Sequence, residues 1–209
     1  MSFERPKTWA LPFANGEAQH LERELKAIEA KSILEFGPGD STEYFANLGM
    51  QITTCEHDQH WYDVAQERFK DTPNVRVLKF ENELPVPPIE GLGDLEKFDV
   101  GFVDAPQGYS TIKATGFRRK KFPGQEDCSR LNTCLAALGR CKVVFLHDIG
   151  RGLERATLGR LNAMGFDIEI SGVFGKITWQ PKQTSSTEPS EILVPSLRAW
   201  PRMPIHMQQ

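Results

Sequence analysis

Acids and one histidine recur in this chain where apolar runs end. Ile33 to Phe36 carries Glu35 and runs into Gly37-Pro38-Gly39 and then Asp40-Ser41-Thr42. Gln51 to Cys55 ends in Glu56-His57, Phe98 to Val103 ends in Asp104, and Cys141 to Leu146 ends in His147-Asp148. These side chains suit two kinds of chemistry. Carboxylates bind sugar hydroxyls and ammonium groups. A histidine titrates near neutrality and can take a proton from an acceptor. Asp104 and Asp148 are also hard oxygen donors. With His147 they could hold a divalent metal that lowers a hydroxyl's pKa.

The elements that must position these groups follow from local pattern. Glu35 precedes a glycine turn, and Ser41-Thr42 reads as a helix start. Strand, glycine turn and helix in succession bring backbone N–H groups close to a ligand. A second strand ending in Glu56 puts a carboxylate where a doubly wound sheet meets ribose hydroxyls. A nicotinamide fingerprint would also place an acid there, so the glycines must discriminate. The third glycine of G-x-G-x-x-G is replaced by Thr42. Glu35 would face a pyrophosphate, but it suits a ligand carrying an ammonium group. S-adenosylmethionine has an ammonium, a sulfonium and a ribose, and no phosphate.

Glu35-Phe36-Gly37-Pro38-Gly39-Asp40-Ser41-Thr42 with Glu56-His57-Asp58 resembles the first two motifs of class I S-adenosylmethionine-dependent methyltransferases. The likeness extends over roughly residues 30 to 180 and includes Phe98 to Ala105. It implies an α/β, Rossmann-like, doubly wound and mostly parallel seven-stranded sheet with an antiparallel last strand. It also implies a cofactor site of Glu35, Gly37, Gly39, Asp40, Ser41, Thr42, Glu56, His57 and Asp104. In the family pattern a polar group at the third strand tip meets the adenine amino group; Asn82 or Glu83 fills that place. A narrower likeness lies in Val103-Asp104-Ala105-Pro106-Gln107-Gly108-Tyr109 and His147-Asp148-Ile149-Gly150-Arg151. These blocks resemble plant polysaccharide O-methyltransferases that methylate the glucuronic acid side chains of xylan. Gly150 departs from the acid common there. The N-terminal region is shorter, and there is no membrane anchor.

The remaining chain can be read in order. Residues 1–15 form an arm, and Gly16 to Ala30 a covering helix with Leu21, Leu25 and Ile28 inward. The domain proper spans 31–180. Gln59 to Lys70 is a helix with Trp61, Val64, Ala65 and Phe69 on its core face. Asn74 to Phe80 alternates as a third strand, and Leu84 to Glu96 is a proline- and glycine-rich loop. Glu126 to Leu138 is a helix with Leu131, Leu135 and Leu138 inward. Arg151 to Met164 is another helix, and a hairpin around Ser171-Gly172 closes the sheet. Residues 181–209 are a polar, proline-rich tail.

Gln107 to Gln125 carries Lys113, Arg118, Arg119, Lys120 and Lys121 and no acid. Long loops of this kind are often lids. Tyr109, Lys113, Arg118, Arg119 and Arg151 are the candidate acceptor-binding residues, suited to an acidic small-molecule or saccharide acceptor. The catalytic candidates are Asp104, His147 and Asp148, with Asp104 and Asp148 as candidate metal ligands.

Composition sets the outer bounds. The 209 residues suit one domain, with 39% hydrophobic and 25% charged side chains. A net charge of −3 disfavours a general nucleic-acid binder. No apolar run reaches membrane-spanning length, and Met1 to His20 lacks a signal-peptide pattern. Cys55, Cys128, Cys134 and Cys141 form no C-x-x-C pair and read as reduced thiols of a cytoplasmic protein. The oligomeric state stays open. Competing readings are a nicotinamide oxidoreductase, an aminopropyl transferase, or a non-catalytic S-adenosylmethionine-binding protein on the same fold.

Overall fold

The computed structural model describes residues 16–80, 91–93, 96–105 and 130–179. Asn82, Glu83, Tyr109, Lys113, Arg118, Arg119 and Cys128 lie outside them, as do the arm, most of the Leu84 to Glu96 loop and the tail.

Five parallel strands carry the site: β1 (Ser32–Phe36), β2 (Gln51–Glu56), β3 (Val75–Lys79), β4 (Phe98–Val103) and β5 (Cys141–Leu146). β6 (Asp167–Ser171) and β7 (Phe174–Thr178) complete a seven-stranded sheet of order 3-2-1-4-5-7-6. β7 runs antiparallel to both β5 and β6. Among the described residues the helices are α1 (Glu17–Ala27), α2 (Asp40–Asn47), α3 (Gln59–Phe69), α4 (Leu131–Leu138) and α5 (Gly152–Ala163). The expected architecture is therefore the observed one.

Strands buried on both faces read as nearly continuous apolar runs. Alternate side chains of β1 show the reason. Ile33 joins Leu21 and Leu25 of α1 and Phe45 of α2 in one core cluster. Leu34 and Phe36 join Cys134 of α4 and Leu158 of α5 in another. Both clusters include residues of the central strands β1, β4 and β5. At their amino-terminal end Asp99 accepts hydrogen bonds from the Lys31 and Ser32 amides and the Ser32 hydroxyl, at 2.9, 3.0 and 2.9 Å. These bonds align β1 with β4.

Two helix faces differ from expectation. On α3, Ala65 and Phe69 are buried, but Trp61 is 55% exposed and Val64 is also exposed. Ala65 and Phe69 pack against Val77 of β3, with Tyr62 partly buried beside them. On α4 the buried residues are Asn132, Thr133, Cys134, Ala136 and Ala137, while Leu131, Leu135 and Leu138 only pack at the cluster edge. The cause is close approach to the sheet. A Cβ placed on Gly101 of β4 would stand 2.9 Å from the Ala137 Cβ. Small residues must face β4 there, and the leucines are turned aside.

Among the described residues Cys55, Cys134 and Cys141 are free and buried, and no helix is long and apolar enough to cross a membrane.

Candidate active site

Strand order runs outward from β1 in both directions, to β2 and to β4. Between β1 and β4 the direction of winding reverses, and ligands of open α/β sheets bind at such a switch point beyond the carboxyl ends. Glu35 to Gly39 lies on one side of it and Asp104 on the other.

Gly37 makes the turn. Its φ of 99° belongs to the left-handed region, and an added Cβ would come within 2.8 Å of the Ala105 Cβ. The loop thus lies tight against the chain leaving β4. Gly37→Ala should cost about 1–3 kcal/mol through strain and clash, read as a lower melting temperature. A melting temperature equal to wild type would show that the loop is not tightly seated.

Gly39 opens α2, and its amide donates to Thr42 Oγ1 at 2.9 Å. Thr42 Oγ1 in turn donates to Glu35 Oε2 at 2.6 Å, and Ser41 Oγ donates to Glu35 Oε1 at 2.6 Å. Glu35 is fully buried. Burial pushes its pKa up to about 7, despite the hydroxyls of Ser41, Thr42 and Thr54, which oppose the shift. Its carboxylate therefore braces the loop, and its charge would act on a ligand across the loop. Thr42, the residue that breaks the dinucleotide fingerprint, is the brace's second arm. Asp40 pairs with Arg68 of α3 at 2.7 Å, which ties α2 to α3.

Glu56, at the tip of β2, is also buried. Its Oε1 accepts the amides of His57 and Asp58 at 2.7 and 2.9 Å, and His57 Nδ1 stands 2.8 Å away. Among the described residues Oε2 accepts no hydrogen bond. One carboxylate oxygen is thus held by the main chain. Among the described residues, a Cβ on Gly39 would meet nothing within 4 Å.

A second group stands at β4 and β5. Asp104 Oδ1 lies 3.3 Å from His147 Nδ1 and 3.0 Å from Arg130 Nη1. Burial would raise the pKa of Asp104, but the nearby imidazole of His147 and the Arg130 charge outweigh it and hold the carboxyl below its usual range. Burial would lower the pKa of His147, but the carboxylates of Asp104 and Asp148 prevail and raise it. The ring stacks on Phe174 of β7, with centroids 5.2 Å apart. Its Nε2 stands 3.7 Å from Glu17 Oε2 on the first turn of α1. Asp148 has a φ of 60°, rare outside glycine, and its Oδ2 pairs with Arg151 at 2.7 Å.

Asp104, His147 and Asp148 offer ligand atoms within 4.8 Å of one another, as their positions at adjacent strand tips predict. The same two carboxylates each carry a guanidinium. Sequence reasoning missed Glu17, Arg130 and Glu154. Arg130 precedes a helix start and Glu154 sits in a helix, where charged residues are ordinarily solvated. Only their burial marks them.

This topology and this pair of strand-tip clusters define the class of fold: the Rossmann-like fold of class I S-adenosylmethionine-dependent methyltransferases. Solved structures share it. A methyltransferase from Pyrococcus furiosus is 18% identical over 77% of this chain and 80% of that one, with a TM-score of 0.50. The N-terminal domain of human METTL16 in complex with SAH is 11% identical over 84% and 74%, with a TM-score of 0.52. The human METTL16 catalytic domain in complex with MAT2A 3'UTR hairpin 1 is 14% identical over 91% and 78%, with a TM-score of 0.54. At such identities the likeness is one of fold. No protein-family model matches the chain, and no curated protein sequence matches it significantly.

Proposed function

We propose that this chain transfers the methyl group of S-adenosylmethionine to a hydroxyl of an acidic, small or saccharide-like acceptor. The observation that carries this reading is the pairing of the two clusters. Glu56, with one oxygen tied to the main chain, ends β2, the strand paired with the one that runs into the glycine loop. Across the switch point, Asp104 and His147 form an acid–imidazole pair.

The cofactor supplies an activated methyl carbon and its own leaving group. The protein must then position the acceptor, remove its proton and exclude water. Glu56 holds the ribose hydroxyls. The backbone of Gly37 and Gly39 lines the methionine part, and Glu35 contributes negative charge behind it. His147 takes the acceptor proton, and Asp104 orients the ring and stabilises the imidazolium that forms. Glu17, near Nε2, adds a second carboxylate to that imidazolium. The basic run from Lys113 to Lys121, which lies outside the described residues, supports an acidic acceptor on charge alone. Arg151 stands at the site edge on Asp148. A divalent cation between Asp104 and Asp148 would face two guanidinium groups already on those oxygens. We therefore route no step through a metal, and activity in excess chelator should equal that without it.

The test of the cofactor half is direct binding. S-adenosylmethionine and SAH should bind in calorimetry while NAD and NADP do not. Glu56→Ala should weaken cofactor binding by about 1.5–3 kcal/mol, the loss expected for a hydrogen bond to a charged group. Undiminished affinity in that variant would remove Glu56 from the site. The acceptor half needs labelled cofactor offered with uronic acids, neutral sugars and RNA; transfer to neutral sugars or RNA alone would end the acidic-acceptor reading.

A further inference from the structure

Arg130 and Glu154 form an ion pair inside the protein that the proton-transfer step does not use. Arg130 is 1% exposed and Glu154 is fully buried, with Nε and Oε1 3.6 Å apart. Burying such a pair is costly, and apolar side chains of like volume often serve stability as well. Stability alone thus gives no reason for these charges to be here.

Geometry gives one. A single nitrogen of Arg130, Nη1, reaches two atoms at 3.0 Å: Asp104 Oδ1 and the His147 carbonyl oxygen. Asp104 Oδ1 is also the atom nearest His147 Nδ1. One guanidinium arm therefore touches the carboxylate and the main chain of the histidine that the carboxylate faces. The rest of the frame is fixed in turn. The Asp104 amide donates to Phe36 O and the His147 amide to Val103 O. The Arg130 amide lies 3.5 Å from Thr157 Oγ1 on α5, the helix that carries Glu154. Among the described residues, charged groups around the His147 ring include Asp104 after β4, Asp148 beside it, Glu17 on α1 and Arg130 before α4. Arg151 is held on Asp148.

We propose that Arg130, steadied by Glu154, is a positioning residue that pins the Asp104 carboxylate at His147 Nδ1. Nδ1 of the neutral ring is then the protonated nitrogen, and Nε2 is the one left to accept a proton. A carboxylate without that arm could rotate about its side-chain bonds and release the ring, because the Nδ1–Oδ1 contact of 3.3 Å is long on its own. The use of Nε2 in catalysis rests on His147 being the base proposed above. The pinning itself does not need turnover to be seen.

The experiment is long-range ¹H–¹⁵N NMR of the histidine side chains in the full chain without cofactor, at a pH where His147 is neutral. Wild type should show His147 with Nδ1 protonated. Arg130→Met should lose that signature and give mixed tautomers. Glu154→Gln should shift it part of the way, and Arg130→Lys, which keeps the charge, should restore more than methionine does. A wild-type ring protonated on Nε2 would overturn the inference. So would wild-type shifts in folded Arg130→Met. If Arg130→Met does not fold, unchanged shifts in both Arg130→Lys and Glu154→Gln overturn it instead. A pinned Nδ1 tautomer together with full turnover in His147→Ala would leave the positioning intact and reject the catalytic role.

Discussion

His147→Ala should lower turnover by about 10²–10⁴-fold, the range a general base contributes, while S-adenosylmethionine binds as in wild type. The two clusters are separate: Glu56 and the glycine loop lie with β1 and β2, and His147 follows β5. A loss confined to turnover is the mark of a group that acts on the acceptor. The pH profile carries the sharper test. A base must be neutral, so kcat/KM should rise with pH through the pKa of His147. That pKa is raised, so the midpoint should lie above the ordinary histidine value of about 6.5. Asp104→Asn removes the main group that raises it, and the midpoint should move down while the plateau falls. A profile with the same midpoint in wild type and Asp104→Asn would mean that the titrating base is another group. The measurement is release of SAH against pH with the acceptor identified by the labelled-cofactor screen.

The second large effect is on stability, and it runs against function. Glu35 is buried, with a pKa raised from 4.5 to about 7. A group whose folded pKa lies above its unfolded value stabilises the fold at low pH. That contribution is complete below the unfolded pKa and is lost as pH rises through about 7. A shift of this size corresponds to roughly 3 kcal/mol at about 1.36 kcal/mol per unit. Glu35→Gln cannot ionise, though it receives the Ser41 and Thr42 hydroxyls less well. Without cofactor at pH 8 it should therefore be more stable than wild type by on the order of 1–3 kcal/mol, or several degrees in melting temperature. His147, also raised, gives a pH slope of the same sign. It is common to both proteins, so the difference between them isolates Glu35. The cost should appear in binding, where wild-type affinity for the cationic cofactor rises with pH and that of Glu35→Gln does not. Parallel melting curves for the two proteins from pH 5 to 8 would show that burial of this carboxyl is not a source of strain. The cofactor, by binding the folded form alone, should restore the wild-type stability that the ionised carboxylate costs.

Much of this was written in the chain order itself. An apolar run buried on both faces has no choice but to be a central strand, and an acid at its end must emerge at the sheet edge. That is why Glu35, Glu56, Asp104, His147 and Asp148 could be assigned to one end of one sheet from pattern alone. Gly37 was legible for a similar reason, since a strand that turns sharply into a helix needs a residue able to take positive φ. The closing hairpin announced itself through Ser171-Gly172.

Other features depend on distances that no local pattern records. Trp61 shares helical spacing with Phe69, yet it is exposed, while its sequence neighbour Tyr62 packs beside Phe69 and Val77. The leucines of α4 give way to Ala137 because Gly101 lets the helix approach β4 too closely for a larger side chain. Glu35 was expected to face the ligand, and only the fold shows its oxygens taken up by the Ser41 and Thr42 hydroxyls. Arg130 and Glu154, 24 positions apart by their numbers, look like two ordinary surface charges. Packing of α4 and α5 against the sheet takes both out of water. Once water is gone, each must find a charged or carbonyl partner, and the partners available are those of the site.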